Sequence, residues 1–313
     1  MNNYKSIDDI VDLDLAVHEA LDFKQTQTSL THLAKDKVLC MLFFNSSLRT
    51  RLSTQAAAFK LGMQVMVLNV DSDSWKLEFE DGTVMNMDKA EHIKEAVQVV
   101  SQYADIIGVR AFPELISRQS DEAEPVIKAF VQYASVPVFS LESATEHPLQ
   151  ALTDVMTIKE FVPKKKPKVV LSWAPHPRKL PHAVANSFVK AMKRVDCEFV
   201  ITHPEGYHLN PELTQDVMIH TDQKEAMQGA DVVYAKNWSC YEPYGGIITP
   251  KEDWMISSEK TGTAKFMHCL PVRRNIVVAD EVLDGSNSLV IEQANNRTYA
   301  ALWVINKLLN GKD

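Results

Sequence analysis

Short apolar runs alternate along the first half of this chain with stretches in which apolar residues recur every three or four positions. The periodic stretches predict helices, one ending near Gly62 and one from about Ala90 to Tyr103. The apolar runs predict buried parallel strands at Val38–Leu42, Gln64–Val70, Asp105–Arg110 and Val136–Leu141. This alternation predicts an α/β fold built on a parallel sheet.

Two segments of the first half depart from the alternation. Ser6 and Asp9 predict the capped start of a single amphipathic helix that runs to Leu21. Residues 71–89 show no period, and a connection of that length inside a compact domain is usually functional. Because Trp75 has no evident core to join there, we interpret the segment as a lid or an intersubunit loop.

The segment Val162–Lys168 is rich in lysine and proline and predicts a solvated connector between domains rather than a nucleic-acid patch. Beyond it the alternation resumes, with helices near His182–Lys193 and Gln223–Gly229 and a closing helix at Gln293–Leu309. Strands are predicted near Lys168–Trp173, Glu198–Thr202, Val217–Ile219, Asp231–Ala235 and Lys265–Met267. The sequence therefore predicts two doubly wound parallel-sheet domains joined by interdomain helices: residues 1–150 with about 292–313, and residues 151–291.

The junction after the first strand, Phe43–Arg51, carries the most distinctive chemistry. A strand-loop-helix junction offers unpaired backbone N–H groups, and here it adds the hydroxyls of Ser46, Ser47 and Thr50 and the guanidiniums of Arg49 and Arg51. Such a set suits an anionic oxygen cluster, which favours a phosphate site. The alternative is that Ser47 only caps a helix whose arginines are solvated.

Polar side chains follow two further strands of the first half. Arg110 ends one strand, and Glu142, His147 and Gln150 follow another. Pro148 suits the first turn of a helix, so His147 is expected at that helix's N-terminus. Because ligands bind at the carboxyl ends of parallel strands, we expect these residues at one crevice.

Three polar clusters follow strands of the second half in the same way. They are the proline-rich run Trp173–His182, Lys236–Trp238 and His268–Asn275. The chain contains neither a dinucleotide fingerprint nor a P-loop motif, so a nucleotide cofactor is not expected. A zinc site from His268 and Cys269 would be poorly spaced, and we predict no metal and no cofactor.

Composition narrows the class of protein. The chain has 313 residues, 45% of them hydrophobic, which suffices for a sizeable core, and its net charge of -8 argues against nucleic-acid binding. Neither a signal peptide nor a membrane-spanning run is evident, so a cytoplasmic location without membrane partners is expected. The cysteines are not closely paired; Cys40 and Cys197 are expected in buried strands, and all four as reduced thiols.

Three ordered motifs resemble the signatures of the aspartate/ornithine transcarbamylases: Ser47–Arg51, His147–Gln150 and His268–Pro271. The resemblance covers essentially the whole chain. It implies two α/β domains, the first binding carbamoyl phosphate and the second the amine substrate, in a homotrimer. Ordinary ornithine enzymes carry an Asp-containing segment ending in Ser-Met-Gly where this chain has Val232–Trp238, which puts free ornithine in doubt.

Lys236, Trp75 and the run Trp173–Arg178 instead resemble the acylornithine branch, which carbamoylates N-acetyl- or N-succinylornithine in arginine biosynthesis. This resemblance implies a knotted second domain. It also aligns Ala90 with a glutamate of the acetyl-specific members. Because a glutamate would repel a succinyl carboxylate and alanine would not, we expect N-succinylornithine, with N-acetylornithine as the alternative.

The resemblance implies a role for each candidate residue. Thr50, Arg110, His147 and Cys269 are the catalytic candidates, while Glu142, His176, Lys236, Arg273 and Ala90 are the candidates for the acylornithine. The carbamoyl phosphate candidates are Ser47, Leu48, Arg49, Thr50, Trp75, Arg110, His147, Gln150, Cys269, Leu270 and Arg297.

Some of these roles have structural alternatives. Trp75, implied to come from a neighbouring subunit, could pack within its own loop, and Arg297 could form a solvated or interdomain ion pair. Cys269 could act as a nucleophile, lie buried and inert, or contact the ligand through its backbone carbonyl, and we favour the last. A non-catalytic binding module on the same fold is the remaining alternative for the whole chain.

Overall fold

The structure is a computed structural model that describes residues 1–311, apart from the side chain of Asp71. The chain divides into two units: unit 1 comprises Met1–Glu114, Gln119–Leu149 and the C-terminal segment from Arg297, and unit 2 comprises Leu115–Arg118 and Gln150–Asn296. Two residues of the predicted range 292–313, Lys312 and Asp313, lie outside the described residues.

Unit 1 is built on a four-stranded parallel sheet. Its order is β2 (Gln64–Asn69), β1 (Val38–Phe43), β5 (Ile106–Arg110) and β6 (Val138–Glu142). The two central strands are almost wholly buried, as expected for the apolar runs Val38–Phe43 and Ile106–Val109. The register between β5 and β6 shifts at Arg110, so Arg110 lies opposite Glu142 at the carboxyl edge of the sheet.

The remaining elements of unit 1 surround this sheet. A second, two-stranded parallel sheet pairs β3 (Leu77–Glu78) with β4 (Glu91–His92). The helices are a 3₁₀ helix (Ile7–Asp9), α1 (Leu13–Gln25), α2 (Arg49–Lys60), α3 (Val70–Asp73), α4 (Ile93–Tyr103), α5 (Arg118–Glu122), whose first residue belongs to unit 2, and α6 (Pro125–Tyr133). Two further helices, α7 (Pro148–Phe161) and α13 (Val290–Asn310), each contain residues of both units.

Unit 2 is built on a five-stranded parallel sheet. Its order is β11 (Lys265–Met267), β10 (Val232–Lys236), β7 (Lys168–Trp173), β8 (Glu198–Thr202) and β9 (Met218–His220). Its remaining helices are α8 (Ala183–Met192), α9 (Pro211–Thr214), α10 (Gln223–Met227), α11 (Ser258–Thr261) and α12 (Asp280–Leu283). Lys236 ends the second strand of this order, and His268 follows the first.

The predicted α/β fold with two parallel sheets is confirmed, whereas three local predictions are wrong. The helix predicted from Ile7 to Leu21 is broken, because Ser6 caps the 3₁₀ helix and Asp12 caps α1 separately. The predicted loop 71–89 contains most of α3 and all of β3. Cys197 lies one residue before β8 and is only partly buried.

Three further predictions concern the oxidation state of the cysteines, membrane-spanning segments and a knot in the second domain. All four cysteines are free thiols, and burial raises the pKa of Cys40 and of Cys197 to about 11. Among the described residues, no helix combines the length and the apolar character needed to cross a membrane. The knot implied by the resemblance stays a prediction.

Candidate active site

The junction between β1 and α2 leaves the start of a helix without a side-chain cap. The N-cap residue is Leu48, which has no polar side-chain atom, and it is two-thirds exposed. The Ser47 hydroxyl has no hydrogen-bond partner within residues 1–311, so it does not cap α2 as the alternative interpretation required. The backbone N–H groups of the first turn, next to Arg49, are therefore available to an anion.

Thr50, in the same turn, is held by an arginine from the far end of the chain. Arg297 Nη2 donates a hydrogen bond to Thr50 Oγ1 over 2.5 Å, and both side chains are buried. Arg297 belongs to the part of α13 that lies in unit 1. This contact adds a buried guanidinium to the same turn as Arg49.

Arg110, Glu142 and His147 form a buried charged cluster in unit 1. Arg110 Nη2 donates to Glu142 Oε2 over 3.0 Å, and the same oxygen lies 3.6 Å from His147 Nε2. Arg110 Nη1 donates to the carbonyls of Asn45 (2.9 Å) and Ser46 (2.7 Å), which ties the cluster to the junction. Arg110 Nε is buried and has no hydrogen-bond partner among the described residues.

Glu124 anchors the segment that leads into His147. Glu124 itself has a positive φ of 52° and is the N-cap of α6. Its carboxylate accepts hydrogen bonds from Ser143 Oγ (2.7 Å), Ala144 N (3.2 Å), Thr145 N (2.7 Å) and Thr145 Oγ1 (2.6 Å). One carboxylate thus fixes most of the chain between Glu142 and His147.

Trp75 and Ala90 lie on a separate segment of unit 1, outside these contacts. Trp75 is more than half exposed and donates from Nε1 to Glu91 Oε2 over 2.8 Å. Ala90 is exposed, and its N–H donates to the Lys76 carbonyl over 3.1 Å. Hydrogen bonds from the Glu80 N–H and the Lys89 ammonium lower the pKa of Glu78 to about 2. Glu78 is therefore an anion at neutral pH, and its carboxylate connects Glu80 with Lys89.

In unit 2, the buried carboxylate of Asp154 connects two of the predicted motifs. Its Oδ1 accepts a hydrogen bond from Gln150 Nε2 (2.7 Å) and another from Gln293 Nε2 (2.7 Å). Gln293 Oε1 in turn accepts from the backbone N–H of His268 (3.0 Å). Gln150 Oε1 is buried and has no hydrogen-bond partner in the described part of the chain.

The motif His268–Pro271 follows β11. The Leu270 N–H donates to His268 Nδ1 over 2.8 Å, and Leu270 has a positive φ of 55°. Cys269 is partly exposed and lies close to Tyr234, whose pKa is raised well above its usual range by burial and by the neighbouring Asp154 and Cys269. Within residues 1–311, no group of three or more histidine, cysteine, aspartate or glutamate side chains is arranged to hold a metal ion.

A cluster of cations surrounds His176 in unit 2. Arg273 Nε donates to His176 Nε2 over 3.2 Å, and the Arg178 N–H donates to His176 Nδ1 over 3.1 Å. Burial lowers the pKa of His176, and the positive charges of Arg273, Lys236 and Arg178 lower it further. In the part of the chain that the structure describes, no carboxylate pairs with any of these three cations.

The sequence predictions do not include Arg178, Asp154, Gln293 or Glu124 among the residues of these clusters. Arg178 belongs to the proline-rich run that was singled out, but it was not chosen because charge alone does not show which side chains of a run converge. Asp154 lies four residues after Gln150 on one helix, a spacing at which side chains meet, and this signal could have found it. Glu124 gives no sequence signal of its contacts with Ser143–Thr145.

Comparisons with known proteins agree over the length of the chain. Residues 4–160 match the carbamoyl-phosphate-binding domain of aspartate/ornithine carbamoyltransferases, and residues 181–306 match their aspartate/ornithine-binding domain. The chain is 47% identical to the N-succinylornithine carbamoyltransferase of Bacteroides thetaiotaomicron, with 99% of each chain covered. It is 35% identical to the N-acetylornithine carbamoyltransferase of Xanthomonas campestris pv. campestris, with 92% of this chain and 91% of the relative covered.

A solved structure resembles the whole chain. It is an N-acetyl-L-ornithine transcarbamylase in which one glutamate is replaced by alanine, complexed with carbamyl phosphate and N-succinyl-L-norvaline. Its sequence is 31% identical to this chain, its TM-score is 0.91, and the match covers 98% of this chain and 100% of that one.

Proposed function

Because the chain belongs to the aspartate/ornithine carbamoyltransferase family, we propose that it transfers the carbamoyl group of carbamoyl phosphate to the δ-amine of N-succinyl-L-ornithine. The products are N-succinyl-L-citrulline and phosphate. The 47% identity to an N-succinylornithine carbamoyltransferase supports this acceptor over N-acetylornithine.

The observation that carries the choice of acceptor is the cation cluster around His176. N-Succinylornithine presents two carboxylates, one on the α-carbon and one on the acyl group, whereas N-acetylornithine presents only the first. Lys236, Arg273 and Arg178 supply three positive charges with no carboxylate partner among the described residues. A dianionic acceptor would neutralise most of this charge, which favours the succinyl substrate.

The donor is assigned to unit 1. The phosphate of carbamoyl phosphate would lie at the start of α2 and accept hydrogen bonds from the N–H groups there and from the Ser47 and Thr50 hydroxyls. Arg49 and Arg297 would neutralise its charge. Arg110 uses three of its five N–H donors on Asn45, Ser46 and Glu142, so two remain for the ligand.

The reaction forms a bond between the δ-nitrogen and the carbamoyl carbon and breaks the bond from that carbon to the phosphate oxygen. Negative charge develops on the carbonyl oxygen, where Arg110, His147 and Thr50 would stabilise it. The amine attacks in its neutral form, and its proton passes to the departing phosphate, whose oxygens gain negative charge as the bond to carbon breaks and so become a competent base. Catalysis on this account needs no covalent intermediate at Cys269, and Cys269 and Leu270 would contact the donor through their carbonyls.

Ala90 is assigned to the acyl end of the acceptor. The resemblance aligns it with a glutamate of the acetyl-specific enzymes. Support comes from the solved N-acetyl-L-ornithine transcarbamylase variant, which has alanine in place of a glutamate and is complexed with N-succinyl-L-norvaline. Glu142 keeps its proposed contact with the acceptor in addition to its pairing with Arg110.

The finer features of the assembly are also part of the proposal. We infer a homotrimer in which Trp75 contacts the donor of a neighbouring subunit, and the exposure of this tryptophan supports that role. We further infer a cytoplasmic enzyme of arginine biosynthesis with a knotted second domain. Four free thiols, three with a pKa raised by burial, suit a reducing compartment.

The deciding experiment measures phosphate released from carbamoyl phosphate by the purified protein. N-Succinyl-L-ornithine is expected to trigger release at least about tenfold faster, as kcat/KM, than N-acetyl-L-ornithine, since one charge pair within a water-excluded site contributes that much. A reversed order would reject the succinyl assignment and keep the family. No release with either acceptor, or with ornithine, would support a non-catalytic module.

A further inference from the structure

Asp154 is a wholly buried residue that is not among the predicted substrate contacts. Two glutamine side chains nevertheless donate hydrogen bonds to one of its carboxylate oxygens. Gln150 and Gln293 each donate from Nε2 to Asp154 Oδ1 over 2.7 Å. A buried carboxylate is costly unless it is well hydrogen-bonded, so its retention here needs a reason.

A backbone contact determines the direction of the Gln293 hydrogen bonds in this network. The His268 N–H can only donate, so Gln293 must present Oε1 to it (3.0 Å) and direct Nε2 toward Asp154. Gln150 directs Nε2 toward the same carboxylate oxygen and donates to it over 2.7 Å. We name this chain of contacts, from the His268 N–H through Gln293 and Asp154 to Gln150, the amide relay.

The amide relay leaves Gln150 Oε1 as a hydrogen-bond acceptor for a ligand. With Nε2 used by Asp154, the remaining atom of the Gln150 amide is Oε1, which is buried and lacks a hydrogen-bond partner within the described residues. A buried acceptor without a partner is destabilising unless a ligand donor satisfies it. The carbamoyl group carries an NH2 that can supply this donor.

We propose that Asp154 is a positioning residue that sets the orientation of the Gln150 amide, so that Oε1 accepts a hydrogen bond from the NH2 of carbamoyl phosphate. This inference rests on the proposed function, because it assumes that carbamoyl phosphate is the donor. The reversed amide would turn its own NH2 toward the carbamoyl NH2, and two donors would face each other. Asp154 therefore gives selectivity for a carbamoyl group without touching it.

Acetyl phosphate isolates this contribution, because it replaces the NH2 of carbamoyl phosphate by a methyl group and keeps the carbonyl and the phosphate. The measured quantity is the ratio of the two dissociation constants, determined by calorimetry on the full-length protein without an acceptor. The wild type should bind carbamoyl phosphate more tightly by roughly tenfold or more, since a site built to accept from an N–H rejects an analogue that lacks it.

Asp154→Leu removes the acceptor and frees Gln150 to turn, so the ratio should fall about tenfold while acetyl phosphate binds almost as before. Asp154→Asn should keep the ratio within about threefold of the wild-type value. Gln293, fixed by His268, still requires an acceptor at position 154, and the Asn oxygen can supply it to both glutamines. This second variant preserves volume and keeps the proposal testable where Asp154→Leu fails to fold.

Thr157→Val is the matched control. Thr157 lies one turn further along the same helix and accepts a buried hydrogen bond from Asn296 (3.1 Å), so the variant loses a buried contact of the same kind without touching Gln150. Its ratio should equal that of the wild type. An undiminished ratio in Asp154→Leu, or a lost ratio in Asp154→Asn, would overturn the amide relay; a wild type that binds neither phosphate compound would instead reject the proposed function together with the relay.

Discussion

Arg110 and Glu142 form a buried ion pair, with 3.0 Å between Nη2 and Oε2, at neighbouring strand ends of unit 1. The pairing orients the guanidinium while it also lies against the carbonyls of Asn45 and Ser46. An arginine held in this way is prepared for an anion before the anion arrives, which is the condition for electrostatic catalysis.

Glu142→Gln tests whether Glu142 holds the Arg110 guanidinium ready for an anion. Removing one partner of a buried pair leaves the Arg110 charge uncompensated, so the free energy of unfolding should fall by about 3 kcal/mol. Phosphate bound near Arg110 should restore part of this loss. Phosphate at about 10 mM should therefore stabilise the variant more than the wild type. Urea unfolding in phosphate and in chloride of equal ionic strength measures the difference.

Glu19→Gln is the control for that experiment. Glu19 pairs with Lys307 (2.9 Å) in unit 1, away from the residues of the junction. Its loss should lower stability without any extra gain from phosphate. Equal phosphate effects in both variants would show that Arg110 is not part of the anion site.

Glu124→Gln should slow the reaction without weakening the donor. The glutamine keeps one acceptor atom and turns an NH2 toward groups that donate from Ser143–Thr145, so the segment before His147 loosens. We expect kcat to fall about tenfold and the KM for carbamoyl phosphate to change less than about twofold. Steady-state kinetics measure both quantities.

Glu122→Gln is the matched control, because it removes the same charge from an exposed position two residues earlier. It should behave as the wild type. A Glu124→Gln protein with lower stability but an unchanged kcat would mean that the hydrogen bonds of Glu124 support only the fold.

Binding of a dianionic acceptor analogue should take up protons through His176. In the free protein the pKa of His176 is lowered by burial and then by Arg273, Lys236 and Arg178, so the ring binds a proton less readily than an ordinary histidine. The two carboxylates of N-succinyl-L-norvaline would offset these cations and raise that pKa. Affinity should therefore increase as the pH falls below about 6.5, the ordinary histidine value.

Calorimetry at pH 6 in two buffers of different ionisation enthalpy measures the protons taken up. His176→Asn should abolish the uptake while other titrating groups remain. Identical proton uptake by this variant and by the wild type would exclude His176 as the linked group.

Ala90→Glu should move the acceptor preference from succinyl toward acetyl. Ala90 is exposed, so the longer side chain should cost less than about 0.5 kcal/mol of stability. Repulsion between two carboxylates should lower kcat/KM for N-succinylornithine at least about tenfold and leave N-acetylornithine less affected. Ala90→Gln, which has the same shape without the charge, is the control, and an unchanged preference in Ala90→Glu would refute the role of this position.

The sequence predicted the fold well where the signal is local. The predicted strands Lys168–Trp173, Glu198–Thr202 and Lys265–Met267 coincide with β7, β8 and β11, because buried parallel strands are short apolar runs with clear polar ends. The N-terminal helix was predicted as one because its apolar spacing continues across Ile10. Only the second cap, at Asp12, reveals the break.

The candidate site was predictable as a set of residues but not as a set of contacts. Motifs identified Gln150 and His268, yet Gln293, which connects them through Asp154, contacts a residue 139 positions away. Glu124 adopts a left-handed backbone conformation that a glutamate rarely takes, and no periodicity indicates it. Long-range contacts of this kind depend on how the strands are ordered, which local patterns do not contain.

The hydrogen bond from Arg297 to Thr50 has a consequence for the order in which the protein becomes competent during synthesis. The two residues are 247 positions apart, whereas all four strands of the unit 1 sheet lie between Val38 and Glu142. During translation, at about 5–20 residues per second, that sheet can form well before α13 leaves the ribosome. A nascent chain should therefore hold a folded sheet but an incomplete phosphate site, and it should acquire its affinity for carbamoyl phosphate only after Arg297 has left the ribosome.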